Sequence, residues 1–136
     1  MRGIRRLLLL AGLAVVAFAA ALFTFDDGAQ QGCATETEPD PAYTVELQNA
    51  PSTGEVAYRL SVTRSGEPVT GAQVCLSAAM GGMSGMGVSD DAVEVDPGVY
   101  EVEVRFEMAG PWDGTVLVNE GGEESVAVPL SFDVMR

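Results

Sequence analysis

Residues Val99–Phe106 read VYEVEVRF, so Tyr100, Val102, Val104 and Phe106 alternate strictly with Glu101, Glu103 and Arg105. A period of two puts the four apolar side chains on one face and the charges on the other, which is the signature of a half-buried β-strand. The same theme recurs in both directions. Upstream, Val56, Tyr58, Leu60 and Val62 share a face opposite Arg59, Ser61 and Thr63, while Tyr43, Val45 and Leu47 form a shorter version. Ala72, Val74 and Leu76 point one way, with Gln73 and Cys75 pointing the other. Downstream come Thr115–Val118 and then Val126, Val128, Leu130 and Phe132 on one side of a final run. Clusters such as Asn49–Gly54 and Ser65–Pro68 supply the turn residues between runs. No stretch after residue 25 has a helical period. The pattern predicts an all-β fold over residues 42–136, an immunoglobulin-like antiparallel β-sandwich of about seven strands. A closed barrel is the alternative, and short, uneven strands argue against it.

Charge narrows the function. The chain has 136 residues, with 7 arginines, 20 acids, no lysine and no histidine. Arg2, Arg5 and Arg6 lie at the start, whereas every acid lies at Asp26 or later, so residues 26–136 carry four arginines against 20 acids. A surface this acidic does not neutralise phosphates, so no nucleic-acid partner is expected. Without histidine or lysine, imidazole ligation, Schiff bases and most general-base chemistry are absent. No enzyme is expected.

The basic start is followed by Leu7–Phe23, LLLLAGLAVVAFAAALF, and then by Asp26-Asp27. This run is long for the roughly 7–15 residues of a cleavable signal core and matches the ~17–25 residues of a membrane-crossing helix. Residues 1–25 are therefore read as an N-terminal membrane helix, with Ala19-Ala20-Ala21 leaving a cleaved signal as the other outcome. In either case the arginines stay inside and the remainder is exported. The expected location is the cell membrane, single-pass with the domain outside, or the secreted or periplasmic space if the segment is removed. Residues 26–41, DDGAQQGCATETEPDP, are polar and acidic and read as a linker. Cys33 and Cys75 are the only cysteines of an exported chain and are expected to form a disulfide between that linker and the outer face of a strand. A lipidated Cys33 and a free Cys75 thiolate are the alternatives.

One segment departs from the strand pattern. Between Leu76 and Asp90 the chain reads SAAMGGMSGMGVS, with Met80, Met83 and Met86 at intervals of three among four glycines. The glycines oppose a helix, and a loop is expected. Thioether sulfur is a soft donor, and three on one loop can converge on Cu(I) in a compartment without competing thiolates. The other reading is that the methionines are adaptable apolar plugs over the end of the sandwich. Met108 can add a fourth sulfur if its corner lies near the loop, whereas Trp112 is the large residue that a sandwich core takes. The loop has no catalytic motif. Gly82–Met86 approaches a nucleophile elbow but lacks its last glycine, and no histidine exists to activate Ser84. Asp90–Asp96 lacks the spacing and central glycine of a calcium loop and reads as a solvated acidic edge.

The string Gly66–Val74, the Met/Gly loop, Pro97-Gly-Val-Tyr100 before an alternating strand, and Met108-Ala-Gly-Pro-Trp112 before the next resemble the YtkA-like domain, related to the FixH family. The resemblance implies an extracytoplasmic immunoglobulin-like sandwich, often held by one N-terminal helix, with a role in copper handling. Relatives often mix histidines into the Met-rich loop, and their absence here argues against Cu(II). The implied function is Cu(I) binding in copper delivery or tolerance, with an envelope copper protein, oxidase or efflux component as partner. The alternative is a structural or interaction domain that contacts an envelope membrane protein without metal.

Overall fold

The computed structural model describes residues 38–136 except Ser84 and Glu123. The expected membrane segment, most of the linker and Cys33 lie outside the described residues. Eight antiparallel strands make up the rest: β1 (Tyr43–Leu47), β2 (Gly54–Arg64), β3 (Glu67–Pro68), β4 (Gln73–Met80), β5 (Gly87–Asp96), β6 (Val99–Phe106), β7 (Gly110–Asn119) and β8 (Val126–Val134). Their spatial order is β1-β2-β6-β5-β4-β7-β8, with β3 a two-residue hairpin partner of β2. The fold is therefore the expected all-β sandwich, with β3 as a small addition.

Alternation builds the core as the sequence predicts. Tyr58, Leu60 and Val62 of β2 and Tyr100, Val102, Val104 and Phe106 of β6 turn inward to meet Val74, Leu76 and Ala78 of β4 and Val116 and Val118 of β7. Among the described residues no polar or charged side chain is buried, so the interior carries no desolvated charge. On the outer face of β4 and β7, Cys75 is paired in register with Leu117, and both are buried, at 4% and 5% exposure.

Two features differ from the sequence reading. Asp90–Asp96 is not a free acidic edge but belongs to β5, a strand laddered to β4 on one side and β6 on the other. β5 joins the two sheets into one nearly closed surface by changing partner between Ala92, paired with β4, and Val93, paired with β6, with a register irregularity following between Glu94 and Asp96. The Met/Gly loop is also shorter than expected. β4 runs on to Met80 and β5 begins at Gly87, which leaves only residues 81–86 outside the ladder. β7 likewise starts at Gly110 rather than near Thr115.

The strand directions give the sandwich two distinct ends. Residues 38–42 enter at one, together with the turns at 65–66, 69–72, 97–98 and 120–125. The connections 48–53, 81–86 and 107–109, and the residues after Val134, gather at the other. The seven residue steps of β6 separate the ends by about 23 Å.

Candidate functional site

The three loop methionines are tied together by main-chain bonds. The Met80 N–H donates to the Met86 carbonyl at 3.2 Å, closing the β4–β5 hairpin, and the Met83 N–H donates to the Met80 carbonyl at 3.2 Å. Gly82 and Gly85 take the left-handed backbone that this tight return requires. Met80 ends β4 and is half-buried, packed against the core, while Met83 and Met86 are 46% and 37% exposed. The loop thus holds one thioether against the fold and presents two to solvent.

The β6–β7 crossing lies beside this hairpin. In the β4–β7 ladder Met80 stands opposite Trp112, two residues beyond Gly110. The Met80 methyl group occupies the space over Gly110, where a Cβ would come within 2.8 Å of it. The φ of +130°, which side chains rarely adopt, is what favours glycine there, since the Met80 methyl ends a flexible side chain. Trp112 is 2% exposed and its indole N–H donates to the Met108 carbonyl at 3.1 Å. It is a core residue, as its size suggests, and it also fixes the main chain of Met108, whose side chain is 36% exposed. All four sequence-predicted methionines, Met80, Met83, Met86 and Met108, are therefore at one end of the sandwich.

Beneath them is an aromatic cluster. Phe106 packs against Tyr58, Trp112 and Phe132 with ring centroids 5.5, 4.9 and 5.5 Å apart. Tilted and edge-on contacts at these distances make a rigid floor for the end. One carboxylate borders the hairpin: an oxygen of Asp113 lies 3.8 Å from the position a Gly81 Cβ would take, and its other oxygen accepts a hydrogen bond from the Ser131 hydroxyl at 2.9 Å.

These donors suit a soft monovalent ion. Thioethers are soft donors, which Cu(I) accepts more readily than Zn(II) or Cu(II), and among the described residues no three of His, Cys, Asp and Glu converge as metal ligands. Cys75 has no free thiol. It lies on β4 five residues before Met80, and Cys33, its expected partner, is outside the described residues.

The opposite end is polar. The Tyr43 hydroxyl donates to Glu120, and burial and this bond raise its pKa above 10.0, the hydrogen bond being the larger cause. Arg64 pairs with Glu120 at 3.2 Å and lies 5.5 Å over the Tyr43 ring. Tyr100 donates to the Val69 carbonyl at 2.9 Å and accepts from the Ala72 N–H at 3.1 Å, and desolvation raises its pKa. Nearby, β1 and β8 meet without a ladder, leaving a groove of ≈ 470 Å³ between Tyr43–Val45 and Ala127–Pro129.

The sequence reading singled out the hairpin methionines by spacing and Met108 by its corner, but not a fifth methionine at this end. Met135, 55% exposed, comes to the same end at the close of β8. No local signal marks it, since it follows an ordinary alternating strand.

The family model described as YtkA-like matches residues 35–117, more than half of the chain. No curated protein is similar enough to be matched with it.

Proposed function

The chain belongs to the YtkA-like family, and from that premise we propose that it is an extracytoplasmic, membrane-anchored module that binds Cu(I) through Met80, Met83 and Met86, with Met108 as a fourth donor, in copper delivery or tolerance. The observation that carries this reading is the hairpin itself: three methionines on one short return whose main chain is closed by hydrogen bonds, with the Met108 carbonyl held by Trp112 at the same end. A hairpin whose main chain is already closed loses little backbone freedom when an ion binds. The acidic surface attracts cations at long range without selecting among them. Copper is cargo here, passed to or held from an envelope copper protein, an oxidase or an efflux component. The domain is placed outside the membrane by the arginines that precede the apolar run and the acids that follow it.

A second reading has its own support, because Met83, Met86 and Met108 are exposed apolar side chains and adaptable methionine surfaces also bind proteins. Titrating the full-length protein in detergent with Cu(I) against a competing chelator separates the two. One Cu(I) bound by the wild type and none by a Met80/Met83/Met86→Leu variant, with weaker response to Zn(II), is expected. Equal binding by both proteins, or by neither, would leave the metal-free interaction module as the better account.

A further inference from the structure

The outer face of the sheet formed by β4, β7 and β8 is covered in one band. Cys75, Leu117 and Ala127 stand in a row across it, Cys75 opposite Leu117 and Leu117 opposite Ala127. All three point away from the core, since their chain neighbours Val74, Leu76, Val116, Val118, Val126 and Val128 pack into it. Outward residues of an uncovered sheet face water, yet Cys75 and Leu117 are 4% and 5% exposed and Ala127 is half-buried. The cover ends on both sides of the row. Gln73 is exposed on one side, and on the other the burial falls through half-buried Ser77 and Thr115 to exposed Ala79, Asp113 and Ser131. A narrow band running across the strands is the footprint of a single extended segment laid over the sheet.

Two observations identify that segment. Cys75 has no free thiol, and Cys33 is the only other cysteine of the chain. Pro39–Pro41 line the groove between β1 and β8 together with Ala127, which puts the start of the described chain at the β8 end of the same row. Cys33 lies six residues before Pro39, an extended reach of about 20 Å, whereas Ala127 and Cys75 are two strand spacings apart, about 10 Å. From this we infer that residues 33–37 are a strap over Ala127, Leu117 and Cys75, pinned at its far end by a Cys33–Cys75 disulfide. The bond forms by exchange: the two thiols lose two protons and two electrons to a disulfide-bearing oxidant of the export compartment, which leaves as its dithiol. Only residues 26–32 then remain between the apolar run and the strap. The link to the membrane spans at most about 25 Å and leaves from the face of β4, not from the end of the sandwich. Neither the covered band nor the pairing involves copper.

Two measurements on the full-length protein in detergent test the pairing and the cover separately. Peptide mapping after purification with iodoacetamide and no reductant should recover the peptide containing Cys33 joined to the one containing Cys75, from protein that runs as a monomer on a non-reducing gel. Two alkylated thiols, a lipidated Cys33 or a disulfide between chains overturns the inference. The cover is read by NMR with a soluble gadolinium chelate. In the unmutated protein the Leu117 methyl signals should keep most of their intensity while those of Val93, 68% exposed, lose most of theirs. Cys33→Ser releases the strap, and the Leu117 loss should then approach that of Val93. Leu117 methyls broadened as strongly as those of Val93 in the unmutated protein, or protected equally in a folded Cys33→Ser variant, overturn the strap. Should Cys33→Ser fail to fold, the mapping and the unmutated spectrum still decide.

Discussion

The two ends of the sandwich are closed by different chemistry. At the end where the linker enters, side chains are satisfied in pairs: Tyr43 and Arg64 on Glu120, Tyr100 on Val69 and Ala72, and the Gly71 N–H on Glu94. At the far end Tyr58 clasps Ser52, Trp112 holds the Met108 carbonyl, Asn49 bonds the main chain of β2 and Asp113 accepts from the Ser131 hydroxyl. Above them four methionines, Met83, Met86, Met108 and Met135, are 36–55% exposed. A soluble domain seldom gathers large apolar side chains at one end without a use for them. The difference leaves the linker end closed by paired polar groups and the methionine end, about 23 Å away along the strands, with thioethers open to solvent.

The strongest way to break this comparison is through the floor of the methionine end. Phe106 is 2% exposed and touches three other rings. Phe106→Ala should cost about 3–5 kcal/mol, read as a lower urea midpoint. A loss below about 1 kcal/mol would show that the ring cluster is not what supports that end.

A smaller effect is expected at the linker end. Tyr100→Phe leaves the Val69 carbonyl and Ala72 N–H without their side-chain partner, at a cost of about 1–3 kcal/mol. Cu(I) binding should be unchanged, because the hydroxyl lies at the opposite end of β6 from the methionines. A variant that is destabilised and also binds copper more weakly would mean that the ends are coupled.

The smallest effect sharpens the comparison by pH. Tyr43, through its hydrogen bond to Glu120 and its burial, and Tyr100, through desolvation, both have pKa values raised above 10.0. The native state therefore keeps these phenols neutral at a pH where the unfolded chain ionises them. Their stabilising contribution is complete below about pH 10 and is lost as pH rises through the higher native values. Urea midpoints should fall across that range, and a Tyr43→Phe/Tyr100→Phe variant should fall less steeply. An undiminished slope in the double variant would place the alkaline sensitivity elsewhere.

Much of the fold was legible in the chain. Period-two alternation in Val56–Val62, Val99–Phe106 and Val126–Phe132 identified strands and their inward faces, because alternation is a local property of extended backbone. Cys75 and the inward-facing Val74 and Leu76 were placed on opposite faces for the same reason, and Trp112 was assigned to the core by size. β5 was not legible. Its Val93 and Val95 are 68% and 41% exposed, and it is held by ladders on both sides rather than by a buried stripe, so its composition resembles a solvated edge. The extension of β4 to Met80 was hidden likewise, since it is pairing with β5 and, as far as Trp112, with β7 that makes those residues a strand.

The candidate site divides in the same way. The three-residue spacing of Met80, Met83 and Met86 marked one local group of thioethers, and the structure puts them on a single hairpin. Whether Met108 joins that loop, and that Met135 reaches the same end, depended on the β4–β7 and β7–β8 registers. Alternation and composition are written between neighbours in the chain, whereas register is set by hydrogen bonds between strands far apart in it, and so only the folded structure could bring the methionines to one end.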